Sequence, residues 1–339
     1  MRAFLKQFAA FALIQVLIAV AVFWSYRRQY PADQNMLAAS IDKHALISTQ
    51  ASPRLVFIGG SSMAFGVKSA EIAAACLRRP VNMGLHGALG LSYMLNESEP
   101  FIRKDDWIIL APEYQQFARI NGATDYVVNM LEVNPANAAL LERQQWVEAF
   151  DRGIIQRFGR ITRSILGKPG RFFARNLLNK TTKPFHRRTG FNAHGDIVAH
   201  LDLKSPGLNE RAFSFRYREQ LVTQAIGRLN AFAANAEARG AKVFFSHPPL
   251  PREIFAANRE HLDKLEARLK AELKIPRLDR MDEHLYPIED FFDTWYHLAA
   301  PGVEKRTRFL SERLAQQANV SAAVHGQIRP AQVSQDTGK

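Results

Sequence analysis

One stretch sets the fold class of this chain: Leu55-Val56-Phe57-Ile58-Gly59-Gly60-Ser61. Four consecutive apolar residues that end at a glycine pair are typical of a strand buried on both faces, as in a parallel sheet. The glycines allow a tight turn, and Ser61 stands in that turn directly after the strand. The stretch therefore predicts an α/β fold with a hydroxyl group at the carboxyl end of its first strand.

The alternation of strands and helices continues outward from this stretch. We expect further strands at 80–83, 106–111, 241–246 and 275–278, and helices at 69–77, 91–101 and 209–239. This alternation predicts a three-layer α/β/α domain, whose mainly parallel, flavodoxin-like sheet is covered by helices on both faces. In such sheets ligands gather at the carboxyl ends of the strands, where Ser61 is expected.

Composition limits the number of domains and the kinds of site. With 339 residues, 47% of them hydrophobic, the chain can bury one sizeable core. Its only cysteine, Cys76, excludes an intrachain disulfide and a cysteine-rich metal site. The spacing of His194, Asp196 and His200 matches no common metal site, and no phosphate-binding lysine follows Gly59-Gly60-Ser61. The sequence therefore predicts no metal and no cofactor.

The N-terminal residues have the pattern of a single membrane-spanning helix. From Phe8 to Trp24 the chain is apolar except for Gln15, and this approaches the roughly 20 residues that cross a bilayer. No small-x-small cleavage site precedes Phe23-Trp24-Ser25-Tyr26, which favours an uncleaved anchor over a signal peptide. Positive charges on the two sides of the segment nearly balance, so they leave its orientation open. We expect a membrane anchor at 1–28 and a polar connector at 29–52.

A basic insertion interrupts the α/β domain that we expect at 53–317. Between residues 151 and 190, eleven lysines and arginines face one acid, Asp151, and explain much of the net charge of +13. Apolar residues recur among them at helical spacing, so we expect a basic helix within about 151–200. It either lies on anionic lipid or packs on the domain as an ordinary solvated helix. Nothing in the chain resembles a nucleic-acid reader, and we expect a disordered tail at 318–339.

The turn at Gly60-Ser61 allows three interpretations. A hydroxyl beside the free backbone N–H groups of a helix start suits an attacking alkoxide and the oxyanion that it creates. A glycine-serine turn after a first strand also serves as a phosphate cradle. In the third interpretation it is a tight turn with a helix N-cap and has no chemistry.

Two later groups add polar residues in positions that suit a site. Asn82-Met83-Gly84 and then Gly87 follow the second expected strand, where glycine lets backbone approach a ligand closely. Near the C-terminus, Asp293 precedes His297 by four residues and a final helix follows. Such an acid can fix the tautomer that lets the imidazole accept a serine proton.

The order of these groups resembles the SGNH/GDSL hydrolase superfamily. The shared pattern is a glycine-serine after the first strand, then Asn82-x-Gly84-x-x-Gly87, then a late acid and histidine, and it covers about 54–117 and 242–315. The resemblance implies that Ser61 is the nucleophile, His297 its base and Asp293 the residue that orients the base.

The resemblance also implies an oxyanion hole, which includes the backbone N–H groups of Ser61 and Gly84. The third block of the superfamily pattern contains an asparagine that donates to the oxyanion. In this chain the corresponding segment reads Ala111-Pro112-Glu113-Tyr114-Gln115. We expect Gln115 or the Tyr114 hydroxyl to donate instead, and Glu113 to bind a substrate hydroxyl. The other members of the expected oxyanion and substrate-binding set are Gly60, Ser62, Asn82 and His247.

Three positions depart from the pattern or allow two interpretations. Gly60 stands where the superfamily usually has an aspartate, and the spacing from Asp293 to His297 is four where three is common. That spacing places both side chains on one face if the segment is helical; otherwise the chain must bend to pair them. His247 follows the strand expected at 241–246, and it either lines the pocket or is a loop histidine.

With an N-terminal anchor, the pattern is similar to membrane-tethered SGNH-like proteins of cell-envelope modification, which include alginate acetylation proteins and the D-alanyl transfer protein of teichoic-acid operons. The resemblance implies a serine esterase or O-acyltransferase that acts on acyl groups, acetyl above all, of an envelope or exported polysaccharide. It further implies a single-pass protein of the inner or cytoplasmic membrane with a periplasmic domain, and a polytopic membrane O-acyltransferase as partner. The alternative is a catalytically degenerate scaffold that binds the polysaccharide or that acyltransferase.

Overall fold

A four-stranded parallel sheet forms the centre of the fold. The computed structural model describes residues 2–29, 32–151, 183–208 and 213–327. The strands of the sheet are β1 Arg54–Gly59, β2 Arg79–Asn82, β3 Trp107–Ala111 and β4 Lys242–Phe245. They lie in the order β2-β1-β3-β4, and every neighbouring pair is parallel. The prediction of an α/β fold with a parallel sheet is therefore confirmed.

The fifth strand expected at 275–278 is reduced to a single bridge. Arg277 pairs in parallel with Phe245 of β4. Pro276, the residue before it, has no N–H group with which to lengthen a ladder. Two short strands, β5 Leu250–Pro251 and β6 Leu285–Tyr286, pair with each other in a separate sheet.

Helices fill most of the chain between the strands. In chain order the described helices are α1 Arg2–Gln29, α2 Ala39–Thr49, α3 Ser61–Ala64, α4 Ser69–Ala75, α5 Leu91–Ser98, α6 Thr124–Val133, α7 Arg143–Glu148, α8 Glu219–Ala238, α9 Arg252–Ala257, α10 Arg259–Glu272 and α11 Ala300–Gln327. The helices predicted at 69–77, 91–101 and 209–239 correspond to α4, α5 and α8. The last of these starts later than the apolar spacing indicated.

Alternate side chains of the strands point to opposite faces of the sheet, and helices cover both faces. On one face, Val56 and Ile108 pack in a core with residues of α5, α8 and α10. On the other face, Leu55 and Phe57 pack with α4 and α11, through residues such as Leu310. The sheet is thus buried on both sides, which explains the continuous apolar runs of its strands.

A buried ion pair closes the amino-terminal end of the sheet. Arg54 opens β1 and Asp106 precedes β3, and both side chains are 0% exposed. The Arg54 guanidinium donates to both carboxylate oxygens of Asp106 and to the carbonyl oxygens of Ile47 and Phe101. The Asp106 carboxylate also accepts the N–H of Arg103 at 2.9 Å. Both charges of this pair therefore have several partners.

The predicted N-terminal anchor and connector have different outcomes. Among the described residues, no helix combines the length and the apolar character that crossing a bilayer requires, so the anchor expected at 1–28 is without structural support. The connector expected at 29–52 contains α2, as its helix-prone sequence indicated. Ala39, Lys43 and Ile47 of α2 are buried, so this helix is packed into the domain.

The insertion and the tail also differ from their predicted outlines. The basic helix expected at about 151–200 falls mostly on residues 152–182, which lie outside the described residues. The following residues pack onto the domain, where Phe185, Asp196 and His200 are buried. At the C-terminus, α11 continues to Gln327, beyond the boundary that we expected at residue 317.

Candidate active site

Ser61 opens α3 at the carboxyl end of β1, where the sequence placed it. Gly60 precedes the helix in an extended conformation, and Ser61 is 6% exposed. The Ser61 hydroxyl donates to Oε1 of Glu113 at 3.1 Å. The backbone N–H of Ser62 donates to the same oxygen at 2.9 Å. The Glu113 carboxylate thus accepts hydrogen bonds from the candidate nucleophile and from the backbone of Ser62, a member of the expected oxyanion and substrate-binding set.

Asp293 and His297 form the acid-histidine pair that the sequence predicted. His297 Nδ1 lies 2.7 Å from Asp293 Oδ1. The segment is not helical: the Phe292 N–H donates to the His297 carbonyl at 2.7 Å, and Phe291 bridges to Leu298, so the chain bends to pair the two side chains. Burial would raise the pKa of Asp293, but the hydrogen bond and charge of His297 outweigh it and lower that pKa. The pair is therefore suited to hold the imidazole in one orientation.

The two pairs meet around Phe65. This residue lies one turn after Ser61 in the same helical segment, and its N–H donates to the Ser61 carbonyl at 2.9 Å. Its ring stacks on the His297 imidazole with centroids 3.7 Å apart and planes 6° apart. Arg306 of α11 adds a second link, because its Nη1 donates to the Ser62 carbonyl at 2.7 Å. The segment that carries His297 is thus held against the turn that carries Ser61.

The expected direct contact between nucleophile and base is not made. Within the described residues, no hydrogen bond joins Ser61 to His297, and Nε2 of His297 makes none. The Ser61 hydroxyl is instead directed at Glu113. His297 therefore accepts no hydrogen bond from Ser61 in this conformation, and its role as the base stays a prediction.

Two glycines make room for the Glu113 carboxylate. A Cβ atom at Gly60 would lie 2.4 Å from Oε1 of Glu113, and one at Gly87 would lie 1.9 Å from Oε2. Gln116 fixes both walls: its Oε1 accepts the Glu113 N–H at 2.8 Å and its Nε2 donates to the Gly87 carbonyl at 3.1 Å. The volume that a side chain at position 60 would use is occupied by Glu113. A side chain at position 60 would therefore collide with the Glu113 carboxylate.

Burial is the main influence on the Glu113 carboxyl, which is 7% exposed. It raises the pKa of Glu113, while the Ser62 N–H, the charge of His297 and the Ser61 hydroxyl act in the opposite direction and offset part of the rise. The result is a carboxyl group whose pKa stays above its ordinary value. Such groups are common where an enzyme needs a proton acceptor near neutral pH.

The Asn82-x-Gly84 block is structural in this conformation. The Asn82 side chain is buried and donates to Asp196 Oδ1 at 2.7 Å and to the Met63 carbonyl at 3.1 Å. Its Oδ1 accepts the N–H of Gly84 at 2.9 Å. The Gly84 N–H is therefore already bonded in this conformation, and its role at the oxyanion stays a prediction. The partner that engages Asn82 comes from the insertion, which the family pattern does not cover.

The expected replacements for the missing asparagine also point elsewhere. The Tyr114 hydroxyl donates to the Pro248 carbonyl at 3.4 Å. Gln115 Oε1 accepts from the Tyr296 hydroxyl, which in turn accepts the Tyr114 N–H at 2.9 Å. Neither side chain contacts Ser61 through any hydrogen bond of the described residues. In this block it is Glu113 that reaches the nucleophile.

His247 does not line an open pocket. Its side chain is 0% exposed, packs edge-on against Phe245, and places Nε2 3.3 Å from Oε2 of Glu266 on α10. Its N–H donates to Asp279 Oδ1 at 2.8 Å. Of the two interpretations of His247, a loop histidine packed in the interior agrees with the structure.

Three further histidines surround the site. Burial, assisted by the charges of His297 and His186, lowers the pKa of His86 to about 3. Burial also lowers the pKa of His186, and lowers that of His200 to about 4. His200 lies against the Phe65 ring, with centroids 4.9 Å apart. These imidazoles are uncharged at neutral pH, so they shape the site without adding positive charge.

Sequence reasoning missed His186 and His200 as neighbours of the site. His186 lies within the basic segment 151–190 and His200 follows it, in a part of the chain that the family pattern leaves out. The group His194, Asp196 and His200, whose spacing matches no common metal site, does not act together: Asp196 bonds to Asn82, and His200 Nε2 lies 2.9 Å from the Leu298 carbonyl oxygen. In the described ranges, no group of three or more histidine, cysteine or acidic residues is placed to hold a metal ion.

A comparison of the chain with models of known families finds no match. A comparison with curated proteins finds none either. The resemblance to the SGNH/GDSL superfamily therefore stays a prediction that rests on the residues and geometry described above.

Proposed function

We propose that this chain is a serine esterase or O-acyltransferase of the SGNH type, with a flavodoxin-like sheet as its scaffold. The observation that carries the proposal is the Asp293–His297 pair at 2.7 Å, which is held against the turn of Ser61 through the stacked Phe65 ring. An oriented histidine beside a serine at a strand end is the arrangement that acyl transfer through a covalent intermediate requires.

The chemistry that we propose has two halves. Ser61 attacks the carbonyl carbon of an ester and becomes acylated, and the alcohol part of the ester leaves. Water or a sugar hydroxyl then attacks the acyl-serine and releases Ser61. Because Asp293 holds His297 through Nδ1, the free Nε2 atom can give or take a proton at the exchanging oxygen atoms.

The substrate class and the location belong to the same proposal. The resemblance supports acyl groups of an envelope or exported polysaccharide, an extracytoplasmic domain and a membrane O-acyltransferase as partner. The eleven basic residues between 151 and 190 support contact with an acidic polymer or with anionic lipid. A fractionation of cells that carry the tagged chain would test the location, since a cytosolic signal contradicts it.

The test of the chemistry is Ser61→Ala in purified protein, assayed with an aryl acetate and with a serine-directed phosphonate. We expect cleavage to fall by about 10³-fold or more and labelling to disappear, because the nucleophile is gone. The matched control is Ser98→Ala, which removes a buried hydroxyl on α5 that has no hydrogen-bond partner in the described structure. Unchanged cleavage in Ser61→Ala would refute the proposal.

One observation favours the second candidate, a non-catalytic scaffold. Glu113 occupies both the Ser61 hydroxyl and the Ser62 N–H, so neither is free for a substrate in this conformation. A scaffold predicts that Ser61→Ala and His297→Gln leave polysaccharide acylation in the cell intact. It also predicts that neutralising the arginines from Arg152 to Arg175 abolishes acylation. An active site predicts the opposite result for the first pair.

A further inference from the structure

Two carboxylate pairs converge on the candidate nucleophile. The Asp293 carboxylate is hydrogen-bonded to His297, and the Glu113 carboxylate accepts the Ser61 hydroxyl. We infer that Glu113 is a second catalytic residue, which takes the proton of Ser61, while His297 serves the leaving group and the acceptor. This inference rests on the proposed function, because it assigns the proton transfers of acyl transfer at Ser61.

The hydrogen bonds of Glu113 are those of a proton acceptor. Its Oε1 atom receives the Ser61 hydroxyl at 3.1 Å and the Ser62 N–H at 2.9 Å. No bond donated by this carboxyl occurs among the described residues. Both bonds end on Oε1, and a carboxylate, which is an acceptor at both oxygens, can take up a proton there. The Ser61 proton therefore already points along a path to a base.

The site is built around this carboxylate. Side chains at Gly60 or Gly87 would overlap with it, and Gln116 fastens the Gly87 loop to the backbone of Glu113. A carboxylate in a fixed cradle loses little freedom when it accepts a proton, which favours catalysis by position. A surface carboxylate that happened to touch Ser61 would have none of these supports.

Three groups from neighbouring elements face Glu113. His297 lies in the loop before α11, and its charge favours the ionised carboxylate. Arg306 of α11 is fully buried, and the Arg306 and Glu113 charges attract each other. Burial keeps the pKa of the Tyr296 hydroxyl well above its ordinary value, and the Glu113 charge adds to this, so Tyr296 stays neutral. Burial, the opposing influence, keeps Glu113 basic enough to take a proton.

The proton transfers balance over the two halves of the reaction. In acylation, Ser61 Oγ bonds to the acyl carbon and its proton passes to Glu113 Oε1. The ester C–O bond breaks, and His297, which starts the cycle protonated at Nε2, gives that proton to the departing oxygen. In deacylation, neutral His297 takes the proton of the attacking water or sugar hydroxyl, and Glu113 returns its proton to Ser61 Oγ as the acyl bond breaks. Both residues end in their starting states.

The same scheme accounts for the occupied Ser62 N–H. While Glu113 is ionised, it is a strong acceptor for this group. Once it has taken the Ser61 proton, it becomes a weaker acceptor and the negative charge lies on the oxygen of the tetrahedral intermediate. The N–H that stabilised one anion can then stabilise the other.

The experiment compares Glu113→Gln with Glu97→Gln, a matched control. Glu97 is a buried carboxyl of α5 that bonds to His44 at 2.8 Å and to Tyr93 at 3.2 Å, outside the site. We expect Glu113→Gln to slow pre-steady-state acylation by an aryl acetate about 10²- to 10⁴-fold, the usual contribution of a positioned base. We expect Glu97→Gln to leave that rate unchanged. Wild-type acylation should fall as the pH drops through the pKa of Glu113, and this limb should vanish in Glu113→Gln.

A small carboxylate supplies a readout that a purely structural role would not move. In Glu113→Ala, added formate should restore part of the acylation rate by entering the vacated volume, whereas formate should not rescue Ser61→Ala. If Glu113→Gln fails to fold by circular dichroism, Glu113→Asp replaces it, and slower acylation with a retained acid limb is then expected.

The outcomes separate this inference from the function on which it rests. Acylation at or above the wild-type rate in Glu113→Gln, or in Glu113→Asp where that variant replaces it, overturns the role of Glu113. If Ser61→Ala is inactive at the same time, acyl transfer at Ser61 stands and Glu113 is an occupant that restrains it. An active Ser61→Ala refutes the function itself.

Discussion

Strand β3 carries a buried carboxylate at each end, and the two have opposite surroundings. At the amino end, Asp106 is paired with the Arg54 guanidinium and also accepts backbone and hydroxyl donors. At the carboxyl end, Glu113 accepts a hydroxyl and a backbone N–H, and no cation hydrogen-bonds to it among the described residues. The two ends of β3 therefore differ: one carboxylate has a counter-ion and a full set of hydrogen bonds, and the other can change its protonation state.

The difference follows from the cost of burying charge. A buried ion needs a counter-ion and hydrogen bonds, and when it has them its charge state is fixed over a wide range of pH. When a carboxylate has only neutral donors, burial disfavours its charged form and raises its pKa. Such a carboxylate can take up a proton at a higher pH. In this fold, the carboxylate that can change its protonation state is therefore the one without a hydrogen-bonded cation.

The largest expected effect is on stability, at the amino end. Asp106→Asn leaves the Arg54 guanidinium buried without its counter-ion, so we expect the free energy of unfolding to fall by about 3–5 kcal/mol. Urea unfolding would measure it. The control Asp105→Asn changes an exposed neighbour and should stay within about 0.5 kcal/mol of wild type. Acylation per folded molecule should not change, and a loss of activity there would break the comparison.

A smaller effect is expected on catalysis at the carboxyl end. In Gly87→Ala the new methyl group would lie 1.9 Å from Glu113 Oε2, so the carboxylate must move away from Ser61. We expect kcat/KM for an aryl acetate to fall about 100-fold, or about 2.7 kcal/mol. Gly227→Ala on α8 is the control, because nothing lies within 4 Å of its new Cβ. Full activity of Gly87→Ala would mean that the position of Glu113 is irrelevant.

The smallest expected effect is a change in stability at the carboxyl end of β3, and its sign is opposite to that expected for Asp106→Asn at the amino end. Because the folded pKa of Glu113 is raised, the folded protein holds this proton more tightly, and stability falls as the pH rises from the ordinary value of 4.5 through the folded pKa. Above that pKa, Glu113→Gln should therefore be more stable than wild type, by about 0.5–2 kcal/mol. The gain should fade as the pH falls below 4.5.

Thermal unfolding of wild type and Glu113→Gln at several pH values would measure this difference. Asp106→Asn, which should be destabilised at neutral pH, serves as the reference of opposite sign. If Glu113→Gln were destabilised to a similar extent at pH 8, both carboxylates would be structural, and the contrast between the two ends of β3 would be lost.

Local patterns predicted the parts of the fold that depend on neighbours in sequence. The apolar run at β1, the glycine turn before Ser61 and the proximity of Asp293 to His297 all follow from short-range chemistry, and each is present. The four-residue spacing of Asp293 and His297 did not reveal which backbone conformation pairs them. A bend closed by the Phe292 N–H, rather than a helix, brings them together.

Contacts between distant segments were out of reach of the sequence. The Gly84 N–H donates to Asn82, whose side chain is held by Asp196 of the insertion, and a motif cannot show which partner a distant segment provides. Glu113 was predicted as a ligand for a substrate hydroxyl. Its actual contact depends on the space that Gly60 and Gly87 leave open, and that space exists only in the folded chain.

The bond from Arg306 to the Ser62 carbonyl has a consequence for how the protein is made. Arg306 belongs to α11, the last described helix, which also packs on α4 through Leu310. During synthesis the segment that bears Ser61 leaves the ribosome long before α11 does. Until α11 docks, His297 has no fixed place beside Ser61. On the proposed function, a nascent chain is thus expected to remain inactive, and the hydroxyl at residue 61 should become reactive only after α11 has left the ribosome and docked.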